Sequence, residues 1–277
     1  MIEEARMKLK EMLWLTGIAR PKPRRYGSEV RAFDLPRDGR VEYAQWLHPK
    51  EERKEIRQAV VDSLREFLRP GDVALDIGAH SGDTAVPMAL AVGPTGAVLA
   101  FEPNGFVFPV LERNASLNPG RTRILPFPYA VTPQDGKMTF EYSDPGFCNG
   151  GLHEGMSRWT HAHAFPLEVT GVALEPFLAR HHPELVDRIR YVKVDAEGFD
   201  RSVLESIRGL LSRNRPFVEC EFFKRLGPEQ RLAQLRTLTS LGYRARRVVS
   251  DEDRHGEEVD EANLMAWRHF NVFCTPA

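Results

Sequence analysis

The chain has 277 residues, 42% of them hydrophobic and 28% charged, with a formal net charge of -1. That length holds one large α/β domain with an attached segment, and the composition supplies ample core for a globular protein. The charge gives no nucleic-acid or anionic-membrane footprint, and no apolar run approaches the ~20 residues of a membrane helix.

The N-terminal stretch MIEEARMKLKEMLWLTG carries acids from the start and has no clean apolar core before a cleavage site, so no secretory leader is expected. Cys148, Cys220 and Cys274 are odd in number, far apart and without zinc-type spacing, which fits reduced thiols in a cytoplasmic protein. Ile2, Ala5, Leu9, Met12 and Leu13 recur at helical spacing and predict a short amphipathic helix over 2–15. RPKPRRYGSEV is a Pro- and Arg-rich connector, followed by a mixed segment to about residue 49. KEERKEIRQAVVDSLREFL, residues 50–68, predicts a helix with Ile56, Val60, Leu64 and Leu68 on one stripe, stopped by Arg69-Pro70-Gly71. Residues 1–70 are therefore expected to form a mainly helical extension, and 71–277 the main domain.

From residue 71 strands and helices alternate. Strands are predicted at Val73–Ile77, Ala97–Phe101, within Arg123–Val131 where prolines interrupt it, and at Lys137–Tyr142, Leu167–Val172, Tyr191–Ala196, Phe217–Phe222, Tyr243–Val249 and Asn271–Thr275. Helices are predicted at Asp83–Val92, Phe106–Leu117, Arg201–Leu211 and Glu229–Leu241, with Pro87 an awkward guest in the first. The acidic run 251–261 reads as a solvated loop. This alternation predicts an α/β, Rossmann-like, mostly parallel sheet with helices on both faces.

The stretch VALDIGAHSGDT is a strand, a glycine turn and a helix start, the arrangement that holds a ligand over helix amides. Asp76 ends the strand, and Gly78-Ala79-His80-Ser81-Gly82 form the turn. The next strand ends in AFEPN, placing the acid Glu102, followed by Pro103 and Asn104, where it can accept from both hydroxyls of a ribose. The spacing is neither the dinucleotide fingerprint nor a P-loop, which argues against pyrophosphate and triphosphate. An adenosine with an amino-acid tail, as in S-adenosyl-L-methionine, fits better. YVKVDAEGFD and PFVECEF then set Lys193, Asp195, Glu197, Glu219 and Glu221 on one side of their strands, either as a functional cleft or as an ion-pair network.

LDIGAHSGDT, AFEPN with Asn114 and Asn118 downstream, YVKVDAEGFD, PFVECEF and NVFCTP together resemble the FkbM-like methyltransferases. The resemblance runs from about residue 70 to 277. It implies the class I S-adenosylmethionine-dependent fold, seven strands with the last antiparallel. It also implies that the turn from Gly78 to Gly82 holds the methionine part, Glu102 the ribose, and the Ala130 region the adenine, with Asp195 beside the transferred methyl. Known substrates of the family are mostly hydroxyls, including those of sugars and natural products. The turn departs from the family pattern at His80 and Ser81, where Asn and an aliphatic residue are expected.

The long Gly-rich stretch 142–167 holds His153, His161, His163 and Trp159 and is the expected acceptor loop. The candidate bases are Asp195 first, then His163 and His153, with Glu197 also in reach; no metal site is assigned. The expected partner is a small-molecule or carbohydrate acceptor, without nucleic acid or membrane, and a homo-oligomer is left open. The competing readings are a noncatalytic nucleoside-binding module and a methyltransferase acting on RNA or protein.

Overall fold

The computed structural model describes residues 24–142 and 165–277. The helix expected over 2–15 lies outside them. In place of a mixed segment, the described part of the extension opens with an antiparallel hairpin, β1 (Ser28–Leu35) and β2 (Gly39–Trp46). Its turn closes on Gly39, whose φ of +63° is a left-handed position that favours glycine. The helix expected over 50–68 shortens to α1 (Gln58–Leu64). Gln45 on β2 is the reason: its Oε1 accepts from Lys54 N at 2.8 Å and its Nε2 donates to Glu52 O at 3.2 Å. Those bonds hold 50–57 as irregular backbone against the hairpin, so among the described residues the extension is not mainly helical.

The main domain runs β3 (Val73–Ile77), α2 (Ala85–Val92), β4 (Ala97–Phe101), α3 (Phe108–Ser116), β5 (Ile124–Phe127), β6 (Tyr129–Val131), β7 (Gly136–Tyr142) and β8 (Phe165–Val172). It continues through α4 (Leu174–His181), α5 (Pro183–Val186), β9 (Ile189–Val194), α6 (Asp200–Ser206), α7 (Arg208–Asn214) and β10 (Phe217–Phe222). It closes with α8 (Pro228–Thr239), β11 (Tyr243–Arg247), β12 (Glu258–Val259) and β13 (Phe270–Pro276). Pro87 is tolerated because it falls in the first turn of α2, where an N–H has little to lose.

The large sheet has the order β12-β11-β13-β10-β9-β3-β4-β5. β5, β4, β3, β9 and β10 are parallel neighbours, while β13 is antiparallel to both β10 and β11. An eighth strand joins the expected seven, since Glu258–Val259 inside the acidic run pairs with β11 and buries Val259. The predicted strand 123–131 breaks at Pro128: β5 stays in the large sheet, and β6 turns away to join a small sheet of order β6-β8-β7.

Alternation along β3 builds two core layers. Val73, Leu75 and Ile77 point to the layer under α4 to α8, while Ala74 points to the layer under α1 and α2. The strand order reverses between β3 and β9, and ligands of such sheets bind at the carboxyl ends beside that switch point. Two asparagines fasten the hairpin there. Asn114 on α3 bonds the Ala44 backbone, and Asn118 bonds the Glu42 backbone through both its amide atoms.

Candidate functional site

The turn after β3 is built by close approach. Gly78, at φ +83°, lies so near β9 that a Cβ there would stand 2.0 Å from Asp195 O, a distance no side chain survives. Gly78 N and Ala79 N both donate to Phe101 O at 3.0 Å, drawing the turn against the end of β4. His80 is also left-handed, at φ +49°, which aims its N–H at Glu102 Oε2, 2.9 Å away. Glu102 is buried, and its Oε1 accepts from Asn104 N at 2.7 Å. Burial pushes its pKa up to about 7 against the pull of those two N–H groups.

A cavity of ≈ 900 Å³ opens over the ends of β3, β4 and β9. Of the residues singled out in the sequence, Gly78, His80, Glu102, Pro103, Ala130, Lys193, Asp195, Glu197 and Glu219 line it. Asp76, Ser81, Gly82 and Asn104 instead stand behind its wall, each for a structural reason. Asp76 is fully buried and accepts from Thr84 Oγ1 at 2.7 Å, while its Oδ1 receives no hydrogen bond. Ser81 Oγ is taken by Tyr43 OH at 2.7 Å. Gly82 packs under Leu111 and Asn114, and Asn104 Oδ1 takes the Phe106 N–H at 3.0 Å. His153 and His163 lie outside the described residues.

Strand register sets Lys193 between Asp76 on β3 and Glu219 on β10. Its Nζ is 3.1 Å from Asp195 Oδ2 and 3.9 Å from Asp76 Oδ1. Burial opposes the charge, yet Asp195, Asp76 and Glu219 outweigh it and hold this lysine protonated. The carboxylates expected at one end of the sheet separate into distinct partnerships. Glu219 is bound by Arg254 at 2.8 Å and Tyr191 OH at 2.9 Å, and Glu221 meets His269 Nε2 at 2.5 Å. Glu197, at φ +51°, lines the cavity beside Asp195, and burial pushes its pKa up to about 7. Among the described residues no group of three or more His, Cys, Asp or Glu side chains is arranged to hold a metal ion.

Residues 76–245, more than half of the chain, match the family model described as the methyltransferase FkbM domain. The chain belongs to the FkbM methyltransferase family. Its Rossmann-like sheet is the fold of S-adenosylmethionine-dependent methyltransferases. Among solved structures, an FkbM methyltransferase from Methylobacillus flagellatus KT is similar at 14% identity and a TM-score of 0.43, covering 78% of this chain and 53% of that one. The chain thus spans about half the length of that relative. Aeropyrum pernix fibrillarin with natively bound S-adenosyl-L-methionine is similar at 14% identity and a TM-score of 0.43, covering 92% and 100%. A putative rRNA methylase from Clostridium thermocellum is similar at 10% identity and a TM-score of 0.44, covering 78% and 92%. No curated protein matches the sequence.

The FkbM match begins at residue 76 and leaves out part of the cavity wall. Lys50, Glu51, Lys54 and Arg57 line the cavity from the segment before α1. Lys54 Nζ meets Asp83 Oδ2 at 2.8 Å, and Glu51 Oε2 stands 3.7 Å from His80 Nε2. The His80 ring packs edge-on against Trp46, with centroids 5.6 Å apart. Burial drives His80 down to about 4, so it is neutral at pH 7, and drives Glu51 up to about 7. These contacts explain the unusual His80: it is the turn's docking point for the N-terminal segment. Helical periodicity hid Glu51 and Lys54, but His48-Pro49 just before them was a signal of broken backbone. No helix among the described residues is long and apolar enough to cross a membrane.

Proposed function

We propose that this chain transfers a methyl group from S-adenosyl-L-methionine to a hydroxyl of a sugar or another small molecule. The observation that carries the reading is Glu102, a buried carboxylate that faces the cavity and is fixed by two backbone N–H groups. Each of its oxygens keeps a lone pair, which suits the adjacent hydroxyls of a ribose. Next to it, the turn at Gly78 has no room for a side chain, and the cavity of ≈ 900 Å³ exceeds what one nucleoside fills.

In this reading Gly78 and His80 lie along the methionine part and Glu102 along the ribose, with Pro103 and Ala130 beside the adenine. Asp76, Ser81, Gly82 and Asn104 keep that wall in shape from behind. When bound, the donor supplies a methyl group already activated on a positively charged sulfur. The work left to the chain is alignment of an acceptor oxygen within about 3 Å, in line with the methyl, and removal of its proton. Asp195 takes that proton, and Lys193, 3.1 Å away, fixes the orientation of its carboxylate. His163 and His153 are the alternative bases.

The described part of residues 1–70 acts as a cover over the acceptor. The reading is supported by Lys50, Glu52, Glu55 and Arg57 in the cavity wall. Walls that mix carboxylates with ammonium and guanidinium groups suit hydroxyls, which donate to the first and accept from the second.

Isothermal titration with S-adenosylhomocysteine tests the donor site: wild type binds, and Glu102→Ala loses most of the heat. Equal binding by the two proteins sinks the ribose assignment. For the acceptor, a donor carrying a labelled methyl is incubated with carbohydrate and small-hydroxyl panels, and separately with RNA and protein. Label appearing only in the macromolecules would overturn the small-molecule reading.

A further inference from the structure

The geometry around Glu51 and Lys54 points to a recognition site for an α-amino-acid zwitterion above the glycine turn. We propose that the Glu51 carboxylate takes the ammonium group of the donor's methionine end and Lys54 takes its carboxylate. The inference rests on the donor reading above and assigns residues outside the stretch that matches the family.

Glu51 is the anomaly. Its Oε1 is buried and receives no hydrogen bond, and its side chain is 4% exposed. Lys54 Nζ stands 3.9 Å from Oε1 and His80 Nε2 3.7 Å from Oε2, both beyond hydrogen-bond reach. A carboxylate removed from water without a donor is costly, so it either stays protonated or awaits a partner that brings one.

The charge balance says which partner. His80 is neutral at pH 7, because burial holds it near 4. Lys54 is thereby left to serve two carboxylates, Asp83 at 2.8 Å and Glu51 at 3.9 Å. Glu51 faces the cavity beside Gly78, His80 and Thr84 with its Oε1 unsatisfied. An ammonium group brings a positive charge and three N–H donors. Lys54 in turn has three donors, of which Asp83 uses one, and can accept a carboxylate as a second partner.

Two features set the spacing. Lys54 and Glu51 lie three residues apart on backbone that Gln45 ties down at Lys54 N and Glu52 O, so their relative position does not depend on a helix. Glu51 also lies against His80 of the turn, which places it at the donor's amino-acid end in this reading.

The test is titration calorimetry with two probes, S-adenosylhomocysteine and 5′-methylthioadenosine, which keeps the adenosine and thioether but lacks the amino-acid end. Glu51→Gln is isosteric and should fold, which thermal melting checks. It is expected to weaken S-adenosylhomocysteine about tenfold and to leave 5′-methylthioadenosine within about twofold. Lys54→Met is expected to do the same. Equal losses for both probes would mean that these residues only shape the pocket, and unchanged affinity for S-adenosylhomocysteine would assign Glu51 elsewhere; either result overturns the inference. The wild type gives an arm that needs no variant, because similar affinity for the two probes also overturns it. Failure of the wild type to bind either probe would instead bring down the donor reading itself, and this inference with it.

Discussion

Asn114 on α3 holds Ala44 on β2 in the way a neighbouring strand would. Its Oδ1 accepts from Ala44 N at 2.7 Å and its Nδ2 donates to Ala44 O at 3.0 Å. The same Nδ2 donates to Ser81 O at 2.7 Å, so hairpin, helix and glycine turn converge on one fully buried side chain. Asn118 repeats the grip two residues earlier on the strand, at 2.8 Å to both Glu42 N and Glu42 O. Alternate residues of a strand present their backbone groups to the same side, and two asparagines suffice to pair that edge without a third strand.

Replacing Asn114 with Ala leaves Ala44 N–H, Ala44 O and Ser81 O without their partner in a dry environment. We expect a loss of about 2–4 kcal/mol in stability, read by urea unfolding. Affinity for S-adenosylhomocysteine is expected to fall as well, because Ser81 belongs to the glycine turn proposed to hold the donor. A stability change under about 1 kcal/mol would show that water takes over the amide's bonds.

Gly78→Ala should damage both fold and site. The left-handed φ of +83° disfavours any side chain, and the added Cβ would meet the Asp195 carbonyl oxygen at 2.0 Å. Separating the turn from β9 to relieve that clash is expected to cost about 3 kcal/mol or more and to abolish S-adenosylhomocysteine binding. Gly105→Ala, where a Cβ meets nothing within 4 Å, is the matching control and should leave stability near wild type.

Stability of the ligand-free protein should fall as pH rises from 5.5 to 8. Burial is the largest cause holding Asp76 near 6, Glu51, Glu102, Glu197 and Asp200 near 7, and Glu221 near 9. A carboxyl whose folded pKa is raised binds its proton more tightly when folded. Its contribution is therefore full below about pH 4, the unfolded value, and is lost as pH climbs through the folded value. Urea midpoints at pH 5.5, 7 and 8 should decline, and Glu221→Gln should flatten the part above pH 7. A midpoint that rises across this range would contradict the burial of these groups as ionisable carboxyls.

The glycine turn and the acid beside it were legible because each feature there is local in sequence. Strand, glycine turn and helix follow one another within VALDIGAHSGDT, and Glu102 ends the very next strand, so the fold brings together what spacing already implied. The hairpin was legible in principle, since Pro36-Arg37-Asp38-Gly39 is a turn signal between two alternating runs, but it was outweighed by the surrounding polar residues. Glu51 and Lys54 could not be read locally. Their backbone is shaped by Gln45 on another element, and tertiary hydrogen bonds of that kind override helical periodicity. The fates of Glu219 and Glu221 were hidden for the same reason. Arg254 and His269, which claim them, come from segments far along the chain.

The place of β13 also governs how the protein can be made. Residues 270–276 fill the gap between β10 and β11, two strands that otherwise have no contact ladder between them. A nascent chain still short of residue 270 therefore carries two open strand edges, the kind of surface that recruits other chains and calls for chaperones. Translation stalls in that interval should yield aggregates.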